Sequence, residues 1–188
     1  MNRHDLFKSI RSLLEDMLVI CNIGMPSQEL YSLGDANNFF YMLGSMGMCS
    51  SIGVGLSLGT NESVVAIDGD GSVLMNLGSL ATIANHAPTN FILLIVDNGC
   101  YGSTGDQPTF SSKLTSLAGI AEAAGCPNVY ECTGVKTAGI LVQAKQQAGP
   151  HVIVSKIEPG NCKSQVIDLS PIWIRDRFRA RIQHETVS

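Results

Sequence analysis

Apolar residues in the first forty positions follow two patterns, a helical repeat and short continuous runs typical of strands. Residues 3–17 place them near the helical repeat, and the short apolar run 18–21 that follows predicts a strand. Residues 27–33 form a short capped helix in this interpretation, and residues 39–43 predict a second strand. The chain is therefore expected to begin as helix, strand, helix, strand.

The segment GSMGMCSSIGVGLSLG, residues 44–59, carries no charged side chain and is rich in small residues. A helix of this composition is expected to be buried on all sides with its backbone packed closely against its neighbours. We therefore expect residues 44–59 to form a core or interface helix.

Strands and helices alternate through the remainder of the chain. Strands are predicted at 63–68, 91–97, 128–131 and 151–157, and helices at 72–86, 115–124 and 135–147. This alternation predicts an α/β fold with a three-layer, doubly wound and mainly parallel sheet. We expect one domain over residues 1–188, with a C-terminal tail from about residue 159.

The tail contains the basic stretch DLSPIWIRDRFRARI. Its pattern predicts an amphipathic helix that packs its aromatic face on its own domain or on a partner subunit. A membrane surface or a nucleic acid is the alternative that this pattern leaves open.

Net charge, the lengths of apolar runs and the spacing of cysteines indicate which partners and which cellular location to expect. The net charge of −4 gives no basic field of the kind that nucleic-acid-binding proteins carry. No uninterrupted apolar run reaches the length of a membrane span, and the first twenty residues mix charges into their apolar positions, unlike a signal peptide. The six cysteines include no CxxC pair and are expected to be free thiols. We therefore expect a cytoplasmic protein that binds neither membrane nor nucleic acid.

Polar side chains follow two of the predicted strands. Asp70 lies in the sequence GDGS directly after the strand 63–68, and Asn98 directly follows the strand 91–97. Ligands of doubly wound sheets bind beyond the carboxyl ends of the strands, and glycines on either side of Asp70 allow close approach of a ligand. Carboxylate and amide oxygens suit Mg²⁺, which often completes its coordination with phosphate oxygens. This pattern predicts a site that holds magnesium and a diphosphate together.

Other ligand-binding motifs do not fit the sequence around Asp70. A calcium loop beginning at Asp68 would need glycine at its sixth position and Glu at its twelfth, where this chain has Val73 and Ser79. The P-loop and dinucleotide-binding spacings are also absent from the sequence. A simple strand-to-helix turn with a capping Asp remains the alternative.

The GDGS motif, the helix and strand after it, and the acid-amide pair Asp97-Asn98 together resemble the diphosphate-binding signature of thiamine-diphosphate enzymes. The resemblance implies that Mg²⁺ is bound by the side chains of Asp70 and Asn98 and by the backbone carbonyl of Cys100. The other positions that it implies for cofactor binding in this region are Gly69, Gly71, Ser72, Asn98, Cys100 and Tyr101. The family often has Asn where this chain has Asp97, and the acid adds negative charge near the metal.

The resemblance extends upstream to Gly44, Ser45 and Met46. It implies that Met46 separates the two rings of thiamine and that the Gly44 carbonyl accepts a hydrogen bond from the aminopyrimidine. An ordinary core methionine is the alternative for Met46.

The chain has room for the diphosphate domain alone, so the resemblance implies a pyrimidine-binding α subunit that supplies the activating Glu. Among split members of the family, the chain is similar over nearly its whole length to sulfopyruvate decarboxylase β subunits, and also to the C-terminal half of phosphonopyruvate decarboxylases. The first resemblance implies conversion of 3-sulfopyruvate to sulfoacetaldehyde and CO₂, a step toward coenzyme M. Candidate donors to the sulfonate are Ser103, Thr104 and Gln107.

Two further functions stay open at this point. One is the β subunit of a 2-oxoacid oxidoreductase, which commonly adjoins iron–sulfur clusters held by grouped cysteines, and this chain has none grouped. The other is a non-catalytic scaffold subunit that keeps the fold without binding the cofactor.

Overall fold

The computed structural model describes residues 1–183 as a layered α/β structure. The strands are β1 (Leu18–Cys21), β2 (Phe39–Tyr41), β3 (Val64–Gly69), β4 (Phe91–Asp97), β5 (Cys100–Tyr101), β6 (Gln107–Pro108), β7 (Asn128–Thr133) and β8 (His151–Lys156). The α-helices are α1 (Arg3–Ile10), α2 (Met25–Ser32), α3 (Cys49–Ser57), α4 (Asp70–Met75), α5 (Gly78–His86), α6 (Leu117–Ala123), α7 (Gly134–Lys145) and α8 (Pro171–Gln183). Short 3₁₀ turns cover Arg11–Leu14 and Phe110–Ser112.

Six strands form one parallel sheet in the order β2-β1-β3-β4-β8-β7. The central strands β3 and β4 are almost entirely buried because both of their faces are covered by helices, which explains their unbroken apolar sequences. The predicted three-layer, mainly parallel sheet is confirmed. β5 and β6 form a separate antiparallel hairpin just beyond β4.

Two apolar clusters fill the space on the two faces of the sheet. One joins α1, α2 and α7 to the sheet through residues such as Phe7, Leu30 and Leu141. The other joins α3, α4, α5 and α6 to the opposite face through residues such as Val73 and Leu80. The faces are thus covered separately, and the carboxyl edge of the strands lies between the two layers.

The segment 44–59 differs from the prediction in two ways. Its helix covers only Cys49–Ser57, because the preceding turn has positive φ angles at Ser45 (59°) and Gly47 (92°) that a helix cannot contain. The helix is also not buried on all sides. One side of the helix packs so closely that a Cβ at Gly53 would lie 2.8 Å from the ring of Phe91. On another side, the Ile52 side chain is exposed.

The prediction of a single helix over 72–86 is wrong, because the chain forms two helices, α4 and α5, with a break between them. Asn76 takes a non-helical backbone conformation, with φ −144° and ψ 55°. Its side-chain Nδ2 donates to the Gly47 carbonyl at 2.9 Å and to Ser51 Oγ at 3.2 Å. The break therefore joins the GDGS region to the 44–48 turn.

The tail helix α8 lies at the β2 edge of the sheet and contributes to both cores. Ile174 and Phe178 are buried, and the ring of Phe178 lies 5.5 Å from that of Phe40. Arg177 donates to both carboxyl oxygens of Asp35. The predicted packing on its own domain is confirmed for this side of the helix. Among residues 1–183, no helix is long and apolar enough to cross a membrane.

Candidate cofactor site

The carboxyl ends of β3 and β4 bring Asp70 and Asn98 to one edge of the sheet. Gly69 pairs with Val96 in the parallel register, so the residues that follow each strand emerge side by side. Asp70 begins α4 immediately after β3, and Asn98 follows β4 directly. The local strand and helix pattern thus places both predicted metal ligands together.

A cavity of about 280 Å³ opens at this edge. Ten of the predicted site residues line it. They are Met46, Gly69, Asp70, Gly71, Ser72, Asn98, Cys100, Tyr101, Ser103 and Thr104.

The three other predicted residues do not line the cavity. Gly44 and Ser45 are exposed in the turn before α3. Gln107 lies in the β5–β6 hairpin, where its Nε2 donates to the Thr104 carbonyl at 2.9 Å and its Oε1 accepts from Thr104 Oγ1 at 2.8 Å. The Gln107 side chain is thus used to hold the hairpin turn.

Asp70 is buried, and its Oδ2 receives two hydroxyl contacts. Thr109 Oγ1 donates to it at 2.5 Å, and Ser111 Oγ lies 2.9 Å away. Burial raises the pKa of Asp70 and the charge of Asp97 adds to the rise, while the two hydroxyls oppose it. Because burial penalises the charged carboxylate, a cation bound in the cavity would be favoured by this site.

The remaining predicted ligands, Asn98 and Cys100, line the same cavity and carry neutral oxygens. Asn98 Oδ1 accepts from the Cys100 N–H at 3.2 Å, which folds the chain back after β4. Cys100 pairs with Pro108 in the hairpin, and proline has no N–H to donate to the Cys100 carbonyl. One carboxylate, one amide and one main-chain carbonyl fit a small hard cation such as Mg²⁺ that also takes phosphate oxygens.

Within residues 1–183, no group of three or more His, Cys, Asp or Glu side chains could hold a metal ion. A metal in this cavity would therefore depend on amide, main-chain and ligand oxygens as well as on Asp70.

Gly71 is required by a contact that the sequence did not reveal. A Cβ at this position would lie 2.3 Å from Cε1 and 2.8 Å from Cδ1 of Tyr101. The Tyr101 ring therefore packs directly on the first turn of α4 and forms part of the cavity wall. Beside it, Ser72 Oγ accepts from the Gly47 N–H at 2.9 Å, which joins the GDGS turn to the segment containing Met46.

Residues 20–155 match the family model of the thiamine pyrophosphate enzyme C-terminal TPP-binding domain. This chain belongs to the thiamine pyrophosphate enzyme family. The match spans the sheet from β1 to β8 and includes both the GDGS motif and the Asp97-Asn98 pair.

Relatives at higher identity include proteins of similar length and proteins that are much longer. The sulfopyruvate decarboxylase subunit β of Methanococcus maripaludis is 45% identical over 183 residues, which cover 97% of this chain and 98% of that one. The phosphonopyruvate decarboxylase of Streptomyces viridochromogenes is 40% identical over 177 residues, which cover 93% of this chain and 44% of that one.

A solved structure shares the fold of the family. The 4-hydroxybenzoylformate decarboxylase of Rhodococcus jostii, a thiamine diphosphate-dependent enzyme, superposes with a TM-score of 0.69 at 19% identity, over 87% of this chain and 33% of that one. The chain thus spans about a third of this longer structural relative.

The cavity is also lined by residues outside the matched domain that sequence reasoning missed. Arg3 is the one basic side chain that lines the cavity within the described part of the chain. Its Nε and Nη2 donate to the two carboxyl oxygens of buried Glu29 at 3.0 and 2.7 Å, and Nη2 also donates to Asn161 Oδ1 at 2.7 Å. Asn161 in turn donates to the Gly102 carbonyl at 2.7 Å.

These contacts join α1, α2 and the C-terminal segment at one wall of the site. No local motif marks Arg3 or Asn161, because their partners lie far away in sequence. Glu29 carries the one charged side chain of α2, and this isolated charge in an otherwise uncharged helix was the available signal.

Proposed function

We propose that this chain is the diphosphate-binding β subunit of a heteromeric decarboxylase that uses thiamine diphosphate and Mg²⁺ to convert 3-sulfopyruvate to sulfoacetaldehyde and CO₂. The observation that carries the proposal is the 45% identity to a sulfopyruvate decarboxylase β subunit over 97% of this chain and 98% of that one. A chain of the same extent as a named β subunit is expected to need an α subunit, here a pyrimidine-binding one. A cytoplasmic location and a place in coenzyme M formation belong to the same proposal.

In this proposal the Asp70 carboxylate, the Asn98 amide oxygen and the Cys100 carbonyl hold Mg²⁺. Gly69, Gly71 and Ser72 line the cavity at the start of α4 and provide the surface for the diphosphate. When bound, thiamine diphosphate supplies the carbanion and the electron sink that decarboxylation of a 2-oxo acid requires.

The segment containing Gly44, Ser45 and Met46 is assigned to the thiamine rings. Met46 lines the cavity, whereas Gly44 and Ser45 lie exposed beside it. This position supports an arrangement in which a partner subunit covers the turn and the rings bind between the two chains. Met46 would then hold the rings apart by contact with its thioether side chain.

The sulfonate is assigned to the β5–β6 hairpin, where Ser103 and Thr104 are the candidate donors at the cavity and Gln107, the third predicted residue, holds the turn. Ser103 and Thr104 line the cavity, and Gln107 acts on Thr104 through two hydrogen bonds. Hydroxyl donors suit a sulfonate, whose oxygens accept hydrogen bonds. Arg3 adds a positive charge to the wall, and Glu29 largely neutralises it.

Phosphonopyruvate is the alternative substrate, because a phosphonopyruvate decarboxylase is 40% identical over 93% of this chain. The two substrates share a 2-oxo acid and an anionic group at C3. The chemistry proposed for the cavity residues is the same for both.

The test is CO₂ release by this chain co-purified with its α subunit in the presence of thiamine diphosphate and Mg²⁺. 3-Sulfopyruvate, 3-phosphonopyruvate and pyruvate are supplied in parallel. We expect turnover of the sulfonate, loss of turnover in Asp70→Ala, and normal turnover in Asp16→Ala, which removes an exposed carboxyl that does not line the cavity.

Turnover of phosphonopyruvate alone would replace the substrate in the proposal. Cofactor binding without release of CO₂ from any of the three acids would refute decarboxylation. Normal activity in Asp70→Ala would refute the assigned metal site.

A further inference from the structure

A second carboxyl group lies behind the proposed metal site. Asp97 ends β4, is almost fully buried, and does not line the cavity that Asp70 lines. The Ser111 hydroxyl oxygen lies 2.9 Å from Asp97 Oδ1 and 2.9 Å from Asp70 Oδ2. One hydroxyl therefore bridges two buried carboxyl groups.

The hydrogens available to this bridge are few. Ser111 has one hydroxyl hydrogen, and it can complete a good hydrogen bond to only one of the two carboxylates at a time. Thr109 Oγ1 donates a hydrogen bond to Asp70 Oδ2 at 2.5 Å, and the Gly99 N–H donates to Asp97 Oδ1 at 3.1 Å. Neither donor carries a charge, so they do not balance two buried negative groups.

Lys156 supplies the positive charge. It ends β8, directly opposite Asp97 in the parallel register, so the two side chains lie on the same face of the sheet. Its Nζ donates to Asp97 Oδ2 at 2.5 Å, and 36% of its side chain is exposed. With Lys156 paired to Asp97, the two carboxylates and the ammonium group together carry one net negative charge, whichever carboxylate the Ser111 hydroxyl donates to.

We propose that Lys156 is a positioning residue for the metal site. It acts through Asp97 and Ser111, and it holds Asp70 in the orientation in which the carboxylate faces the cavity. The inference rests on the proposed function because the role of Asp70 as a metal ligand belongs to that proposal. Lys156 itself does not line the cavity.

Removal of the ammonium group should let the two carboxylates repel each other across Ser111. We expect Asp70 to turn away from the cavity and the Mg²⁺-dependent affinity for thiamine diphosphate to fall by about tenfold or more, as for loss of one partner of a largely buried charge pair. The exposed part of Lys156 limits the effect, because water screens the remaining charge.

The experiment compares Lys156→Met, Asp97→Asn and the double variant in the complex with the α subunit. Calorimetry measures thiamine diphosphate binding at a series of Mg²⁺ concentrations, and thermal unfolding is followed in the same samples. The double variant removes both charges and is expected to recover affinity to within about threefold of the unaltered complex. Lys156→Arg, which keeps the charge, is expected to retain most of the affinity.

Lys145→Met is the matched control. Lys145 forms an ion pair with Asp16 at 2.6 Å on a different part of the surface, so its loss should leave cofactor binding unchanged. A Lys156→Met complex that unfolds at a lower temperature but binds Mg²⁺ and cofactor normally would overturn the inference in favour of a purely structural ion pair.

Two other results would also overturn it. One is tighter Mg²⁺ binding in Lys156→Met, and the other is a double variant as weak as Lys156→Met alone. If the unaltered complex fails to bind thiamine diphosphate, the proposed function fails first and the inference falls with it. If the unaltered complex binds and Lys156→Met binds equally well, the inference alone is refuted.

Discussion

Substitution of Gly71 by Ala tests which neighbour requires a glycine in the GDGS turn. The added Cβ would lie 2.3 Å from Cε1 of Tyr101. Because two carbons in contact lie at about 3.5–4.0 Å, the ring would have to move by roughly 1.2 Å or more. The ring forms part of the cavity wall, so this displacement changes the space for the cofactor.

The expected magnitude follows from the cost of overpacking. One extra methyl group in a tight site costs about 1–3 kcal/mol. If this cost is expressed in cofactor binding, the affinity for thiamine diphosphate falls by roughly 5- to 150-fold. Gly78→Ala is the control, because no atom lies within 4 Å of a Cβ at that position at the start of α5.

A double-mutant cycle separates two explanations for the effect. Calorimetry on the complex measures thiamine diphosphate binding in Gly71→Ala, Tyr101→Ala and the double variant. If the Tyr101 ring is the obstacle, Gly71→Ala in the Tyr101→Ala background costs less than about 0.5 kcal/mol. The full cost in that background would refute this reasoning and indicate that the cofactor itself approaches Gly71 closely.

Two further predictions concern the scaffold around the site. Gly53→Ala should lower the free energy of unfolding of the purified chain by about 1–3 kcal/mol, whereas Gly55→Ala, with no atom within 4 Å of its Cβ, should raise it by up to about 1 kcal/mol. Equal effects in denaturant titrations would contradict the close packing of α3. Burial raises the pKa of Asp35, but the hydrogen bond and charge of Arg177 outweigh this effect, so the pKa is lowered overall. The ion pair therefore stabilises α8 above about pH 4, and this stabilisation is lost as the pH falls further. Fluorescence of Trp173, the single tryptophan, should report an acid transition of α8 that Asp35→Asn removes, and an unchanged acid transition in that variant would contradict it.

The central part of the fold and site was predictable because its signals are local. The apolar runs of β3 and β4 mark buried parallel strands, and parallel strands present their carboxyl ends at one edge of the sheet. Asp70 and Asn98 directly follow those runs. Their meeting in the cavity therefore depends on strand order alone, without any knowledge of side-chain packing.

The break between α4 and α5 was not predictable from periodicity. Residues 72–86 keep enough apolar residues for one helix, but Asn76 uses its side chain to bond Gly47 and Ser51 instead. Both partners precede it by about 25 to 29 positions. Such a contact depends on where α3 is packed, which a local pattern does not report.

The same reason applies to the polar network around Asp70. Thr109 and Ser111 lie in a segment whose sequence is typical of an exposed loop, and Lys156 looks like an ordinary charged residue at a strand end. Each becomes a site residue only because the hairpin β5–β6 folds back over the strand ends and because β8 lies beside β4. Strand order alone places Lys156 beside Asp97, whereas the positions of Thr109 and Ser111 depend on the hairpin outside the main sheet.

The arrangement divides the proposed cofactor contacts into two parts with different exposure. The oxygens proposed for the metal come from buried or half-buried positions such as Asp70 and Asn98, which are held by hydrogen bonds within this chain. The turn proposed for the thiamine rings has Gly44 and Ser45 exposed and only Met46 at the cavity. Under the proposed function, the diphosphate end is organised by this chain, whereas the ring end needs a second surface to exclude water. In the proposed heteromer, loss of the α subunit should accordingly weaken contacts to the rings more than contacts to the metal and diphosphate.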